Sequence, residues 1–479
     1  MKTKFFTYKT LEDLKNHIST LNLDIPLEPR LEKILQPVTV ANRTVGNALA
    51  IHPMEGTDSE LNGEPGELTF RRWKRYAAGG SKLFWGEATS VTDEGRANPR
   101  QLYLTNQTYD SFARLVEQTR VEHRKAWGDD SDFLLGLQLT HSGRWSFQKP
   151  LPAAHNPIVD FVTFVNREKQ IRVDHSYPLL TDDYLEALED KFVSAAVLSQ
   201  KAGFDFVDIK QCHTYLLNEL LGARSREGRY GGSWENRTRF IRNVVAKIRD
   251  AAPGLLIATR FNAFDGIPHL PPEVTDRLLR STKIPNGFGI DLQNPGKMDL
   301  TEPLKFVSEL KSLGVKIVSV SMGSPYFNPH LERPMEKPAV GGYPPPEHPL
   351  YDIAKHFEST AAIQRANVDL TVLGAGYSWL RHFFVYAAEA NLRAGRVSIV
   401  GTGRGSLAYP DMVRDLLETG RLNPRKACIA DSHCTDLMRA KGNEMGQFAA
   451  GCATRDPLYA KLYKQAYPTR KSPKRPIVH

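Results

Sequence analysis

The stretch "TDDYLEALEDKFVSAAVLSQKAGFDFVDIK", Thr181 to Lys210, reads as one helix followed at once by one strand. Thr181 or Asp182 can cap the helix, and its apolar positions recur every three to four residues. Gly203 then ends it, because glycine tolerates the left-handed exit. "FDFVDIK" is an apolar, β-prone run of strand length. Seven further runs of this kind occur: "NALAIHP" from Asn47, "KLFWGEATSV" from Lys82, "FLLGLQLT" from Phe133, "LLIATRF" from Leu255, "VKIVSVSM" from Val315, "VDLTVLG" from Val368 and "RVSIVG" from Arg396. Helical segments lie between most of them; "SWENRTRFIRNVVAKIRDA" is another, with Ser233 as its N-cap. Repeated strand–helix units imply parallel strands joined by right-handed crossovers. Eight of them predict an α/β fold, a closed (β/α)8 barrel, with an open doubly wound sheet as the alternative.

Composition bounds the rest. The chain has 479 residues, 41% apolar and 24% charged, so a large core is easily buried and global disorder is excluded. No apolar run approaches the ~18 residues of a membrane span. The N-terminus "MKTKFFTYKTLEDLKNH" does not look like a signal peptide. Four scattered cysteines suit a reducing compartment, and a cytoplasmic location is expected. The net charge of +9 comes without a basic, aromatic-interleaved face, so no nucleic-acid partner is expected. A basic enzyme surface for small anionic ligands is the better reading. We expect an N-terminal extension over 1–34, packed outside a barrel over 35–456, and a loose basic tail over 457–479. The Pro- and Gly-rich stretch from Ser324 to Leu350 follows the sixth strand and is expected over the catalytic face.

Chemistry in a barrel gathers at the C-terminal ends of its strands. The first strand ends in His52-Pro53-Met54-Glu55, the second carries Glu87-Ala88, and the third ends in Gln138 followed by His141 and Arg144. The fifth ends in Arg260. Gln138 offers both a donor and an acceptor to a flat heterocycle, and Arg260 can stabilise charge on it. "GAG" at Gly374, Ala375 and Gly376 and "GTGR" with Gly403 and Arg404 close the last two strands. Exposed backbone N–H groups at these positions, with an arginine fork, suit a phosphate. Just past strand four stand Lys210, His213 and Tyr215. The first two can polarise an oxygen, and the third can hand over a proton.

These residues carry a resemblance. "GFDFVDIKQCHTYLLNELL" and "YGGSWENRTRF", with "PMEGTD", "YAAGGSKLFWGEATSVTDEGR", "LQLTHSGR", "ATRFNAFDG" and "GRGSLAYPD", resemble the blocks of the old yellow enzyme family, in the right order. The resemblance spans roughly Leu35 to Arg455. It implies a TIM barrel, a non-covalent FMN and NAD(P)H as co-substrate. It places Pro53, Met54, Ala88, Gln138 and Arg260 around the isoalloxazine, with Glu55 near its reactive edge. Gly374, Ala375, Gly376, Gly403 and Arg404 fall around the phosphate. The family's proton donor maps to Tyr215, and its oxygen-binding pair to Lys210 and His213. The implied reaction is NAD(P)H-driven reduction of an activated C=C bond of a small molecule.

Two departures matter. Lys210 stands where the family usually has histidine, and suits an anionic substrate or an enolate-like oxygen. Longer relatives carry a four-iron cluster on four cysteines. Here Asp431 stands at one of those positions between Cys428 and Cys434, and the gap to Cys452 is too long. No iron–sulfur cluster is expected. Zinc on Cys428, His433, Cys434 and Cys452 stays open, although adjacent His and Cys make poor tetrahedral partners. Two other readings stay open. One is flavin-dependent oxidation of an N-methyl amine or amino acid, with electrons passed to a partner protein or O₂. The other is a flavin-free lyase using Lys210 as a Schiff base. The sequence leaves substrate, reductant preference and homo-oligomerisation undecided.

Overall fold

The computed structural model describes residues 5–281 and 286–470. All eight anticipated runs become strands: β1 (Leu49–Ile51), β2 (Leu83–Ser90), β3 (Leu134–Thr140), β4 (Phe206–Ile209), β5 (Leu256–Phe264), β6 (Ile317–Met322), β7 (Thr371–Gly374) and β8 (Ile399–Thr402). Each pairs in parallel with the next, and β8 closes on β1 through Val400–Leu49, Gly401–Ala50 and Thr402–Ile51. The sheet is a closed barrel, and the open alternative is set aside.

At least one helix follows each strand, and a principal one packs outside it. These are α1 (Glu67–Gly79), α2 (Tyr109–Trp127), α3 (Asp182–Ala202), α4 (Arg239–Ala251), α5 (Thr301–Ser312), α6 (Pro349–Ala366), α7 (Phe384–Arg393) and α8 (Met412–Thr419). The anticipated caps are present: Thr181 accepts from the Tyr184 N–H, and Gly203 ends α3 at φ +96°. Ser233 caps a single turn, Trp234–Arg237, which breaks at Thr238 before α4 begins.

Strands covered on both faces must be apolar throughout, which is why they were readable as runs. The inner side chains Ala50, Trp85, Leu134, Phe206, Ala258, Ile317, Leu373 and Ile399, one from each strand, meet in a single buried cluster. Val40 and Val45 of the hairpin Val38–Val40/Arg43–Val45 join it, so the N-terminal end of the barrel is plugged. The C-terminal end stays open for the site.

Two strand ends differ from expectation. β5 continues four residues beyond Arg260, and β3 two beyond Gln138. The extra residues of β5 are held by β6, whose pairing slips between Ser321 and Met322. Arg260 and Gln138 therefore sit inside the mouth rather than on its rim.

The segment before the barrel packs against α6 and α7. Its helix Leu11–Thr20 has a capping box between Thr10 and Asp13. Phe6, Tyr8, Leu14 and Ile18 pack on Leu350, Ile353 and Phe357 of α6 and on Phe384 and Val385 of α7. The C-terminal end corrects the expected loose tail. Pro457–Ala466 is a helix, tied to α1 by Asp456 with Arg71 and Arg75 at 2.8 and 2.5 Å. Its Tyr459 and Tyr463 bury against Leu437 and Phe448, which supplies the apolar contact the composition concealed. Residues 471–479 lie outside the described part. No described helix is long and apolar enough to cross a membrane.

Candidate active site

The open end of the barrel holds a cavity of about 290 Å³. Lys210, His213 and Tyr215 line it, with Pro53, Met54, Glu55, Ala88, Gln138 and Arg260. Ala375, Gly376, Gly403 and Arg404 line it as well. Gly374 is the last residue of β7 and does not line the cavity; its Cα faces Val397, Tyr377 and Thr360 instead.

The turn after β4 explains how three side chains converge. An extended chain would put His213 and Tyr215, two residues apart, on one face. Instead His213 and Thr214 take φ values of +65° and +58°, a left-handed double step that non-glycine residues rarely adopt. The step is held from several sides. The His213 N–H donates to Asn262 Oδ1 at 3.2 Å, and the Thr214 N–H donates to Asn218 Oδ1 at 2.6 Å. Trp145 Nε1 donates to the Thr214 carbonyl and hydroxyl at 3.0 and 2.9 Å. Backbone strain of this kind persists only where surrounding contacts over-determine it. Gln211 points away from the cavity, toward Thr259 Oγ1 at 3.0 Å.

Within the cavity, Lys210 Nζ lies 3.8 Å from the centre of the Tyr215 ring. The Tyr215 hydroxyl is 2.9 Å from the Tyr326 hydroxyl and 3.4 Å from Glu55 Oε1. Asn98 donates to the other Glu55 oxygen at 3.2 Å. Burial holds the Lys210 ammonium below its ordinary range and pushes the Tyr215 phenol well above its own. Burial also raises the Glu55 carboxyl, with Lys210 opposing the rise. His213 is kept neutral by burial and by nearby Arg260 and Lys210. Its Nε2 is 3.0 Å from Ser321 Oγ, which also accepts from Arg260 Nη2 at 3.3 Å.

Beneath the mouth, Asp208 accepts from Gln138 Nε2 at 2.6 Å and from Trp85 Nε1 at 2.8 Å. A second oxygen accepts from the Arg260 N–H at 2.8 Å. Burial nonetheless raises this carboxyl to about 6. Gln138 also lines the cavity, and its carbonyl oxygen is left to accept from a ligand.

The residues present fit a flat phosphorylated ring. Arg260 Nε and Arg404 Nη1 are buried with no hydrogen-bond partner among the described residues. Such orphaned donors in a cavity wall call for a ligand acceptor. Gly403 leaves room where a Cβ would meet Met54 Sδ at 2.7 Å.

Comparisons with known proteins bear on the family. The model of the NADH:flavin oxidoreductase / NADH oxidase family matches residues 33–272, half of the chain. The chain belongs to this family. It is the old yellow enzyme family, whose cofactor is FMN and whose reductant is NAD(P)H. The NADPH dehydrogenase of Clostridium acetobutylicum is 27% identical over 224 residues, 46% of this chain and 61% of that enzyme. The match thus spans less than two thirds of that relative. The NADPH dehydrogenase of Bacillus pumilus is 27% identical over 401 residues, 82% of this chain and 98% of its own. The solved old yellow enzyme homologue from Zymomonas mobilis superposes with a TM-score of 0.56 at 18% identity, over 82% of this chain and 94% of that one.

The old yellow enzyme blocks do not include every residue at the mouth. Tyr326, Arg333 and Pro334 come from the loop after β6, and Cys434, Met438 and Gln447 from the C-terminal segment. The placement of the Ser324–Leu350 stretch after the sixth strand pointed to the first group. No sequence signal pointed to Met438 or Gln447. Burial keeps the Cys434 thiol protonated, up to about 11. Among the described residues no group of three or more His, Cys, Asp or Glu is arranged to hold a metal.

Proposed function

We propose that this chain reduces an activated C=C bond, of enone or enoate type, with NAD(P)H as electron donor. The observation that carries the reading is the convergence of Lys210, His213 and Tyr215 on one cavity, with Lys210 Nζ 3.8 Å from the Tyr215 ring centre. FMN, when bound, supplies the two-electron redox chemistry between the reductant and the substrate.

The protein's residues bind, orient and protonate. Arg404, with the Gly376 and Gly403 turns, would hold the FMN phosphate, and Gln138 and Arg260 the polar edge of its ring. Lys210 and neutral His213 would bind the substrate's carbonyl or carboxylate oxygen and draw electron density toward it, in a site that excludes water. Tyr215 would give its proton to the α-carbon. Its high affinity for that proton keeps it charged with a proton at neutral pH. Lys210 over the ring then steadies the phenolate that remains.

The same lysine repels a protonated amine, so reduction is favoured over amine oxidation. Anaerobic mixing with NADPH and then with 2-cyclohexenone tests the reading. Fast flavin bleaching followed by recolouring supports it. Bleaching by N-methyl amines alone would replace it with the amine oxidation. A colourless protein trapped on substrate by borohydride would replace it with the lyase.

A further inference from the structure

Tyr215 is 4% exposed, so little of it meets bulk water. After each turnover the resulting phenolate needs a new proton. Two groups touch its oxygen, Glu55 and Tyr326. Tyr326 alone of the pair's tyrosines reaches solvent: it is 40% exposed while its hydroxyl lies 2.9 Å from that of Tyr215. One side chain thus bridges the closed site and the outside.

The position of Tyr326 is fixed. Its ring stacks on Trp145 with centroids 4.3 Å apart and planes 9° from parallel. Trp145 is itself pinned through Nε1 to Thr214, on the same strained turn that carries His213. Hydrogen-bond direction follows from proton supply. Tyr215 has one proton, and toward the Glu55 carboxylate it donates. In the bond between the two hydroxyls either can donate, and once Tyr215 has lost its proton only Tyr326 can. Glu55 is the poorer source, because its contact is 3.4 Å and its second oxygen is engaged by Asn98.

We propose that Tyr326 is the proton inlet of the active site. This rests on the reading of Tyr215 as proton donor. The Tyr215 O–H bond breaks as the α C–H bond forms. The Tyr326 proton then passes to the Tyr215 oxygen, and water from the open side reprotonates Tyr326. No net charge is gained, and the electrons come only from NAD(P)H through FMN.

The test is Tyr326→Ala in the FMN-loaded enzyme, assayed with NADPH and 2-cyclohexenone over rising imidazole. The relay predicts kcat lowered about tenfold and restored by imidazole, a small acid that reaches the vacated space, with wild type indifferent. A variant as fast as wild type overturns it. So does a loss that imidazole leaves untouched, or a variant that no longer holds FMN, which would place Tyr326 in the cofactor pocket. Tyr215→Phe separates the two levels: if it turns over at the wild-type rate, the proton donor itself was misassigned.

Discussion

The Lys210 ammonium lies 3.8 Å above the Tyr215 ring, and both side chains are buried beside Glu55. Under the proposed reaction, one positive charge would serve two negative charges, that on the substrate oxygen and that on the spent phenolate. A neutral histidine at this position would serve neither as strongly.

Lys210→Met is therefore expected to discriminate between substrates. A charged hydrogen bond to a carboxylate is worth about 1.5–3 kcal/mol, so kcat/KM for a 2-enoate should fall about tenfold or more. A neutral enone should lose less. Steady-state kinetics with the two substrates checks this; equal losses would show that Lys210 does not touch the carboxylate.

Tyr215→Phe should separate the two half-reactions. Losing a positioned proton donor costs about 10²-fold or more, all of it in reoxidation by the enone. Reduction by NADPH should keep its rate, because no proton from Tyr215 is used there. Stopped-flow absorbance resolves the two phases.

Arg404 has one nitrogen on the Pro334 carbonyl at 2.8 Å and the other unpartnered. Arg404→Gln should weaken FMN binding by about 2 kcal/mol, roughly 30-fold in Kd. Fluorescence quenching of FMN by apoprotein measures it. Unchanged affinity would move the phosphate elsewhere.

His141 gives a pH dependence of stability. Its Nδ1 accepts from the Gly143 N–H at 3.0 Å and its Nε2 meets the Tyr184 hydroxyl at 2.9 Å, which donates on to Glu94 at 2.7 Å. The ring must be neutral to accept, and burial lowers it from 6.5 to about 4. The unfolded chain then binds more protons than the folded one between those values. Stability is full above pH 6.5 and is lost as pH falls toward 4, by about 3 kcal/mol. Denaturant melts at pH 7 and 4.5 should show this loss, and His141→Gln should flatten it.

The barrel was legible because its strands are buried on both faces and its helices carry ordinary caps. The Lys210–Tyr215 cluster was legible because the end of a barrel strand fixes where its next residues go. The left-handed turn at His213 and Thr214 was not, since neither residue type announces it. Tyr326, Met438 and Gln447 reach the mouth through tertiary packing of distant segments, and no local pattern encodes that. Gly374 read as part of a phosphate turn, but β7 keeps it in the sheet, and the turn begins one residue later. The helix at Pro457–Ala466 hid in a basic tail because its buried face is made of tyrosines rather than aliphatic residues.

The central claim is that FMN lies in this mouth with Lys210, His213 and Tyr215 facing the substrate. The most direct measurement is an anaerobic absorption titration of the purified protein with NADPH, followed by an enone. The account predicts a yellow protein that bleaches with one equivalent of NADPH and recolours as the enone is consumed. A colourless protein that takes up no FMN, or a flavin that NADPH leaves oxidised, would contradict it.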